Sequence, residues 1–380
     1  MKRKIYYWGP FIDKVATIKA IYNSSCSINQ YSSIFESFIL NVVGEWDEIN
    51  FSHKKKFAKF LNFKKRIYKS LPRYGFLKSR FSYLWISLVS FFPLKKILER
   101  DRPDYLIVHL IVSLPMFLFL FFDFKTKLCL RISGKPKLNL FRKYFWKVAS
   151  KKIDIVFCPT EETKKYLLSQ KIFQNIKIYV LRDPIICLEE QRFNLSNSKK
   201  FNPNFIEDNI IMIGRLTKQK NYDLIIDSFN DLIKDHPRIC MNIFGDGENK
   251  RDLIKKIDLY NLDKRIILNH VTKNVFKYIR KSKLFLLTSL WEDPGFVLIE
   301  AAFCNTLILA SNCESGPKEF LSNNSGILFE NNSSEDLLNK INIGLNLSKS
   351  EKQLKVLNAK KKTRLYSYFY HFRKLEEFLD

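Results

Sequence analysis

Residues 284–301 read Leu-Phe-Leu-Leu-Thr-Ser-Leu-Trp-Glu-Asp-Pro-Gly-Phe-Val-Leu-Ile-Glu-Ala. A short apolar run, a turn with Pro and Gly, and a second apolar run predict a buried strand, a turn and a helix that begins near Gly295. Glu292 and Glu300 are eight residues apart, and this spacing predicts carboxylates about two helical turns apart. Backbone N–H groups at such a helix start bind anions and hydroxyls.

The same order of elements occurs upstream. The apolar run Ile210–Ile213 is followed by Gly214-Arg215-Leu216 and then by Lys220-Asn221, after which apolar residues recur at helical spacing. Glycine allows a ligand to approach the backbone, arginine grips two phosphate oxygens as a planar fork, and lysine adds a compact charge. The pattern predicts a phosphate site, although either cation alone would fit a solvated turn.

Short apolar segments alternate with helical ones along both halves of the chain. The predicted strands are Lys4–Trp8, Ser37–Val43, Tyr105–Leu110, Lys127–Ile132, Ile153–Cys158 and Ile176–Leu181, then Ile210–Ile213, Arg238–Phe244, Arg265–Leu268, Leu284–Thr288, Thr306–Ala310 and Gly326–Leu328. This alternation predicts an α/β protein with two Rossmann-like, doubly wound parallel sheets and a ligand at the carboxyl ends of the strands. We predict a first domain over 1–188, a linker over 189–209, a second domain over 210–360, and a C-terminal helix over 361–380.

The formal charge of +27 over 380 residues implies an acidic partner. Between Phe51 and Leu98 there is no acidic residue, and lysines and arginines alternate with aromatics. This composition is typical of a segment that binds an anionic membrane surface. A solvated basic helix with core aromatics would look similar. A nucleic-acid partner ranks third, because no nucleic-acid-binding motif accompanies the charge.

The segment Tyr105–Phe122 is almost wholly apolar and is about the minimum length that spans a bilayer. His109 and Pro115 divide it, so we expect a buried strand followed by a helix rather than one spanning helix. The N terminus resembles a signal peptide only briefly, since Gly9-Pro10 interrupts its apolar stretch, and we expect a first strand there.

Other signals exclude several classes of site. The seven cysteines form no CxxC pair, and we expect reduced core residues of a cytoplasmic protein. No Asp-x-Asp triplet and no His/Cys cluster with metal-ligand spacing occurs, so we expect neither a metal nor a cofactor. No GxxxxGK[ST] loop is present, which argues against an NTPase.

The Gly-Arg-Leu…Lys-Asn and Glu-x7-Glu segments together resemble the retaining glycosyltransferases of family 4, which are the glycosyl transferases group 1 with a GT-B fold: two Rossmann-like domains that face a cleft. The resemblance implies that Arg215 and Lys220 hold the donor diphosphate and neutralise the leaving group. It also implies that Glu292 faces the transferred sugar and that Glu300 binds the ribose hydroxyls. By the same resemblance, 1–188 is the acceptor-side domain, 210–360 is the nucleotide-sugar-binding domain, and the helix over 361–380 braces the first domain. Further substrate-binding positions that it implies are Gly9, Gly214, Gly245, Val271, Gly295, Phe296 and Val297.

The first domain departs from the family pattern. The glycine-rich turn after the first strand is represented only by Gly9-Pro10, and the customary histidine is replaced by Arg131-Ile132-Ser133-Gly134. In its place, Arg131 could supply charge near the leaving phosphate, or Ser133 could supply a hydroxyl contact. His109 is another possible substitute for the histidine, although a histidine in an apolar strand is more often a core residue.

The resemblance implies a metal-independent, retaining, hexosyltransferase-type enzyme. It would move sugar from a nucleoside diphosphate donor, with a UDP-sugar favoured, to a saccharide or lipid-linked saccharide acceptor in polysaccharide or glycolipid biosynthesis. We expect it at the inner face of the cytoplasmic membrane, as a peripheral protein. Two alternatives stay open: a non-catalytic basic scaffold that binds membrane or nucleic acid, and a GT-B sugar-nucleotide epimerase or phosphorylase.

Overall fold

The computed structural model describes residues 2–12, 16–47, 49, 56–72, 76–136, 138–188, 209–272 and 274–380. The chain divides into two compact units. The N-terminal unit contains Met1–Ile185 and Tyr368–Asp380, and the C-terminal unit contains Ile186–Ser367. The predicted linker, 189–209, lies outside the described residues except for Asn209.

The N-terminal unit is built on a seven-stranded parallel sheet of order β3-β2-β1-β4-β5-β6-β7. Its strands are β1 (Arg3–Trp8), β2 (Phe35–Asn41), β3 (Phe60–Asn62), β4 (Tyr105–Val108), β5 (Lys127–Arg131), β6 (Ile155–Cys158) and β7 (Lys177–Val180). The intervening helices are α1 (Ala16–Tyr31), α2 (Phe76–Asp101), α3 (Ser113–Phe121), α4 (Leu140–Ala149) and α5 (Glu161–Ser169). Strands that pair in parallel need such crossovers, which cover the sheet.

The C-terminal unit has a six-stranded parallel sheet of order β10-β9-β8-β11-β12-β13. Its strands are β8 (Ile210–Ile213), β9 (Met241–Phe244), β10 (Ile266–Asn269), β11 (Leu284–Leu287), β12 (Leu307–Ser311) and β13 (Ile327–Phe329). Its helices are α6 (Tyr222–Asp235), α7 (Lys250–Leu259), α8 (Phe276–Arg280), α9 (Phe296–Phe303), α10 (Gly316–Phe320), α11 (Ser334–Asn346) and α12 (Lys349–Lys362). The last helix of the chain, α13 (Tyr368–Leu379), belongs to the N-terminal unit and contacts α1.

The predicted division of the apolar segment Tyr105–Phe122 is confirmed. Tyr105–Val108 is a fully buried strand, and the helix Ser113–Phe121 follows after a short turn. The prediction that the cysteines are core residues also agrees with the structure, because all seven thiols are buried and free.

The basic, aromatic segment has more structure than we predicted. It contains most of the long helix α2 and the short strand β3, which was not predicted. Residues Lys78–Asp101 of α2 are long and apolar enough to cross a bilayer, and 28% of the apolar window is buried. The aromatic side chains of α2 are therefore not simply core residues.

The C-terminal sheet positions the predicted site through buried strands. All four residues of β8 are buried, and so are all four of β11, its neighbour. Helix α6 buries Ile225, Ile226, Phe229 and Leu232 against the same core, at the spacing of one helical face. Because the strands are parallel, the loops that follow β8, β9 and β11 all leave from one edge of the sheet.

Candidate functional site

The loops after β8 and β9 are held together by backbone hydrogen bonds. Gly214 N–H donates to Phe244 O over 3.0 Å, and Leu216 N–H donates to Asp246 O over 2.9 Å. The pairing of the two strands thus continues into the loops that follow them. The structure brings Gly214 and Gly245, two predicted ligand-binding glycines, to adjacent positions on the sheet edge.

These loops pack too closely for larger residues. A Cβ atom on Gly245 would lie 2.1 Å from Gly214 O, and a Cβ atom on Gly247 would lie 2.4 Å from Leu216 O. Both obstructing atoms belong to the backbone, so no side-chain rotation relieves the clash. Glycine is required here because one backbone lies directly against another.

Lys220 ends a 3₁₀ turn, Lys218–Lys220, which is tied to the loop after β11. Thr288 Oγ1 donates to Lys220 O over 2.8 Å, and Leu290 N–H donates to Gln219 O over 2.8 Å. Asn221, in the left-handed region at φ 48°, then starts α6. This turn therefore fixes the lysine beside the second predicted motif.

Lys220 and Glu292 form an ion pair between Lys220 Nζ and Glu292 Oε1. Their side chains are 13% and 8% exposed, so the pair is largely shielded from water. Ser289 Oγ donates to the same Oε1 atom over 2.8 Å. The structure thereby joins two residues that the sequence places 72 positions apart.

The other oxygen of Glu292, Oε2, has no hydrogen-bond donor among the described residues. It lies 3.6 Å from the Cβ position of Gly295, which has φ +85° and precedes α9. The N–H groups of Phe296 and Val297 open this helix and lack intrahelical acceptors. One carboxylate oxygen and a helix start therefore lie in the same turn.

The predicted helical spacing of the two carboxylates is wrong. Glu292 lies in the loop before α9, and only Glu300 lies on the helix, where it is buried. The Pro294-Gly295 turn explains the difference, because the helix cannot extend back through it to Glu292. The prediction that a helix starts at this turn is confirmed.

A segment after β12 supports the Glu292 loop. Gly316 N–H donates to Glu292 O over 3.2 Å, and a Cβ atom on Gly316 would lie 2.0 Å from Pro294 O. Ser315, at φ +74°, forms a parallel β-bridge with Glu292. These contacts fix the loop that carries the carboxylate.

Sequence reasoning missed two residues of this site. Ser289 had only one signal, its position directly after a buried strand. Tyr222 lies at the start of α6, and its hydroxyl is 3.2 Å from the Cβ position of Gly214. Burial raises the pKa of the Tyr222 hydroxyl well above its ordinary value, and the charge of Glu292 adds to the effect. Tyr222 therefore stays protonated beside the ion pair.

The remaining predicted residues are more dispersed. Arg215 is exposed on the β8 loop, and Val271, after β10, has an exposed fraction of 70%. Gly9 belongs to the N-terminal unit, where it is buried at the end of β1 against Ile21 of α1. The other catalytic and substrate-binding positions that the resemblance implies lie in the C-terminal unit.

In the N-terminal unit, the hypothesis that Arg131 supplies charge to a ligand is wrong. Arg131 is 2% exposed at the end of β5, and its Nη2 donates to Asp183 Oδ1 over 2.7 Å. Its charge is neutralised inside the unit. Ser133, two residues later, is half-buried.

Two buried histidines lie near this pair. His109 has no hydrogen-bond partner for either ring nitrogen among the described residues, and burial, Arg131 and His371 hold its pKa well below the ordinary value. His371 is hydrogen-bonded to Ser24 Oγ and to Arg182 O, each over 2.7 Å. Burial lowers the pKa of His371 to about 4. Both imidazoles are neutral at physiological pH.

We found no group of three or more His, Cys, Asp or Glu side chains that could hold a metal ion, within the described part of the chain.

The sequence of the C-terminal unit matches a known family. The model of the glycosyl transferases group 1 matches residues 196–362, which include the Lys220–Glu292 pair. This part of the chain is a glycosyl transferases group 1 domain. The type of domain that the two motifs indicate is therefore confirmed.

Curated relatives of this chain are matched over part of their length. An uncharacterized glycosyltransferase, MJ1059, of Methanocaldococcus jannaschii is 32% identical over 248 residues, which cover 60% of each chain. The N-acetylgalactosamine-N,N'-diacetylbacillosaminyl-diphospho-undecaprenol 4-alpha-N-acetylgalactosaminyltransferase of Campylobacter jejuni is 29% identical over 156 residues, which cover 41% of each chain. The chain thus spans about half the length of these relatives.

Solved structures show the fold of the whole chain. The crystal structure of TarM is similar with a TM-score of 0.76 and 16% identity, over 100% of this chain and 99% of TarM. A complex of a point mutant of S. aureus TarM with fondaparinux, alpha-GlcNAc-glycerol and UDP has a TM-score of 0.73 at 16% identity, over 100% of both chains. The predicted fold, two parallel-sheet α/β domains of GT-B type, is confirmed.

Proposed function

We propose that this protein is a retaining, metal-independent glycosyltransferase that moves a hexose from a UDP-sugar to a saccharide or lipid-linked saccharide acceptor. The observation that carries the proposal is the shielded Lys220–Glu292 pair, at the sheet edge that also presents Arg215 and the glycines Gly214 and Gly245. This edge combines fixed positive charge, a carboxylate and closely packed backbone.

The cations fit the chemistry of the leaving group. When the bond from the sugar to the diphosphate breaks, negative charge grows on the diphosphate, and fixed charges stabilise that state without reorganisation. Lys220 is positioned by its backbone contacts with the β11 loop, and Arg215 is free to fold onto the phosphates from the exposed rim. They would do the work that a divalent cation does in metal-dependent enzymes.

The two carboxylate oxygens of Glu292 have different roles in this proposal. Oε1 holds Lys220 in place, while Oε2 can accept a hydrogen bond from a hydroxyl of the transferred sugar. The opening N–H groups of α9 would bind the same sugar or the diphosphate. Glu300, buried on α9, would accept hydrogen bonds from the ribose hydroxyls. Retention follows if the acceptor attacks from the face that the diphosphate leaves.

The names of relatives support the choice of donor and acceptor. The TarM complex contains UDP, and the Campylobacter relative is named for an acceptor on diphospho-undecaprenol. A lipid-held acceptor agrees with the positive charge of this chain and with the apolar surface of α2. We therefore place the protein in polysaccharide or glycolipid assembly, as a peripheral protein on the inner face of the cytoplasmic membrane.

The test is calorimetric binding of UDP and UDP-sugars to the purified chain and to two double variants. Arg215→Ala with Lys220→Ala removes the predicted phosphate ligands. Arg238→Ala with Lys283→Ala removes the same charge from exposed positions just before β9 and just before β11, at the opposite edge of this sheet. We expect the first variant to lose binding and the second to keep it.

Failure of any nucleotide to bind to a folded sample would contradict the proposal and would favour the scaffold alternative. Turnover is then assayed with and without an acceptor. Interconversion of the sugar nucleotide in the absence of any acceptor would instead favour the epimerase alternative.

A further inference from the structure

Helix α2 of the N-terminal unit presents an apolar ridge to solvent. The ridge consists of Phe81, Leu84, Trp85, Leu88 and Phe92, which recur at intervals of one to four residues and have exposed fractions of 44% to 75%. Such spacing places all five side chains on one face of the helix. Contiguous exposed apolar surface of this kind marks a binding surface.

The ridge is wider than α2 alone. Phe117 and Phe121 of α3 are exposed by 42% and 66%, and Phe91 lies between the helices with its ring centroid 6.3 Å from that of Phe117. A groove of about 760 Å³ runs between α2 and α3, and Phe92 reaches its wall. The apolar face therefore extends over two helices.

On its other side, α2 borders a groove of about 490 Å³ that differs in charge. Phe92 also lines this groove, and Lys64, Lys65, Lys96 and Arg100 form its cationic wall. No carboxylate is among the residues that line it. Arg100 pairs with Asp101, whereas the three lysines have no ion pair among the residues that the structure describes.

Lys96 and Arg100 are four residues apart on α2, and Phe92 is four residues before Lys96. The same face of the helix thus passes from an exposed aromatic ring to two cations. A molecule that fills the groove and continues onto the ridge must be anionic at one end and apolar at the other. A phosphate head and a hydrocarbon chain have this order.

We propose that the groove binds the phosphate head of an anionic membrane lipid, with its chain against the ridge, so that α2 lies in the plane of a bilayer surface. Cationic side chains near a membrane are attracted by anionic lipid, and apolar helix faces enter the boundary between head groups and chains. The proposal deepens the membrane location that forms part of the proposed function. It does not depend on the donor site in the C-terminal unit.

The first experiment measures co-sedimentation of the full chain with vesicles of phosphatidylcholine, with or without phosphatidylglycerol, at a physiological salt concentration of about 0.15 M. Lys64→Gln with Lys96→Gln removes two groove cations. The control, Lys165→Gln with Lys177→Gln, removes two exposed charges on α5 and β7. In the sheet order β7 is at the opposite edge from β3, about 29 Å away at ordinary strand spacing. That distance exceeds a Debye length of about 8 Å at physiological salt.

We expect the groove variant to bind phosphatidylglycerol vesicles about 25-fold more weakly, because each lysine near the surface contributes about 1 kcal/mol. The control should change binding by less than about twofold. Equal losses in both variants would overturn the groove as a lipid site.

A second measurement tests the ridge. In a Trp291→Phe background, Trp85 is the one exposed indole, since Trp8, Trp46 and Trp146 are at most 5% exposed. Lipids with brominated chains should quench Trp85 fluorescence, and the Phe92→Ser substitution should reduce that quenching. Unquenched Trp85 in vesicle-bound protein would overturn the orientation.

Further outcomes separate this proposal from others. If the chain bound UDP but no vesicle, the lipid site would be overturned and the donor site would stand. If it bound lipid but not UDP, the donor site would be overturned and the lipid site would stand. A dimer in vesicle-free buffer that Phe92→Ser dissociates would assign the ridge to a second copy of the chain and overturn the proposal.

Discussion

The carboxyl edges of the two sheets carry similar charged residues in different environments. After β8 and β11, Lys220 pairs with Glu292 while 13% of the lysine side chain stays exposed, and Arg215 is open to solvent. At the end of β5, Arg131 is 2% exposed and is fixed to Asp183. Charges of the C-terminal edge can exchange partners with a ligand, whereas the charge of Arg131 serves the fold.

The largest expected effect is a loss of stability when the Arg131–Asp183 pair of the N-terminal unit is broken. Asp183→Asn would leave the Arg131 guanidinium buried without a counter-charge, and such a loss costs about 3–5 kcal/mol of unfolding free energy. Urea denaturation at neutral pH measures it. The control is Asp123→Asn, whose carboxylate is 93% exposed and pairs with Lys152 at the surface. An exposed pair of this kind contributes about 0–1 kcal/mol. Similar losses of unfolding free energy in both variants would show that burying Arg131 does not raise the cost of removing its counter-charge.

The next effect concerns activity. Lys220→Met keeps an unbranched side chain of similar length and removes its charge. We therefore expect kcat/KM for the sugar donor to fall by about 10²–10³, as when one stabilising group of a transition state is deleted. Lys218→Met, in the same turn but exposed, should have little effect. Steady-state kinetics with matched thermal unfolding curves separates catalysis from folding. Equal activity of the two variants would remove Lys220 from the mechanism.

A third prediction uses a buried carboxyl group of the N-terminal edge. Glu45 is fully buried after β2 and accepts N–H bonds from Val42 and Val43 over 3.2 and 2.8 Å. Burial raises its pKa from 4.5 to about 7, although these bonds oppose the shift. The folded state therefore holds this proton more tightly than the unfolded state does. Its contribution to stability is complete below pH 4.5 and is lost as the pH rises through about 7.

That loss amounts to roughly 3 kcal/mol between pH 4.5 and pH 8. Unfolding free energies of the wild type and of Glu45→Gln across this range measure it, because the amide does not titrate. We expect the variant to show a flatter profile. Parallel profiles would mean that Glu45 is ionised in the folded protein at neutral pH.

The comparison also shows what the sequence can predict. The buried strands could be predicted because a run of about four apolar residues between two turns fits few structures other than a buried strand. The Gly-Arg-Leu…Lys-Asn spacing identified the ligand-binding edge of the sheet in the C-terminal unit. The pairing of Lys220 with Glu292 was not predicted, because it depends on β8 and β11 being neighbours in the sheet. The predicted helical spacing between Glu292 and Glu300 was wrong, because it counted the turn at Gly295 as part of the helix. Arg131 resembled a ligand because its partner Asp183 is 52 residues away.

The smallest expected effect is on stability, and it is tested by substituting one glycine at the carboxyl edge of each sheet. Gly245→Ala places a Cβ atom 2.1 Å from Gly214 O, and Gly9→Ala places one 2.3 Å from Ile21 Cδ1. The first obstacle is backbone, so the loop that carries Arg215 must move. We expect a cost of about 1–3 kcal/mol, as for other overpacked sites, together with weaker UDP binding.

For Gly9→Ala, the obstacle is the end of a side chain, which can take another rotamer. Its cost should therefore be smaller than that of Gly245→Ala, although the two clash distances are nearly equal. Urea denaturation of both variants decides this. If Gly9→Ala were the more costly substitution, close packing would be as rigid at the N-terminal edge as at the C-terminal one. The two edges would then differ in the exposure of their charges and not in the rigidity of their loops.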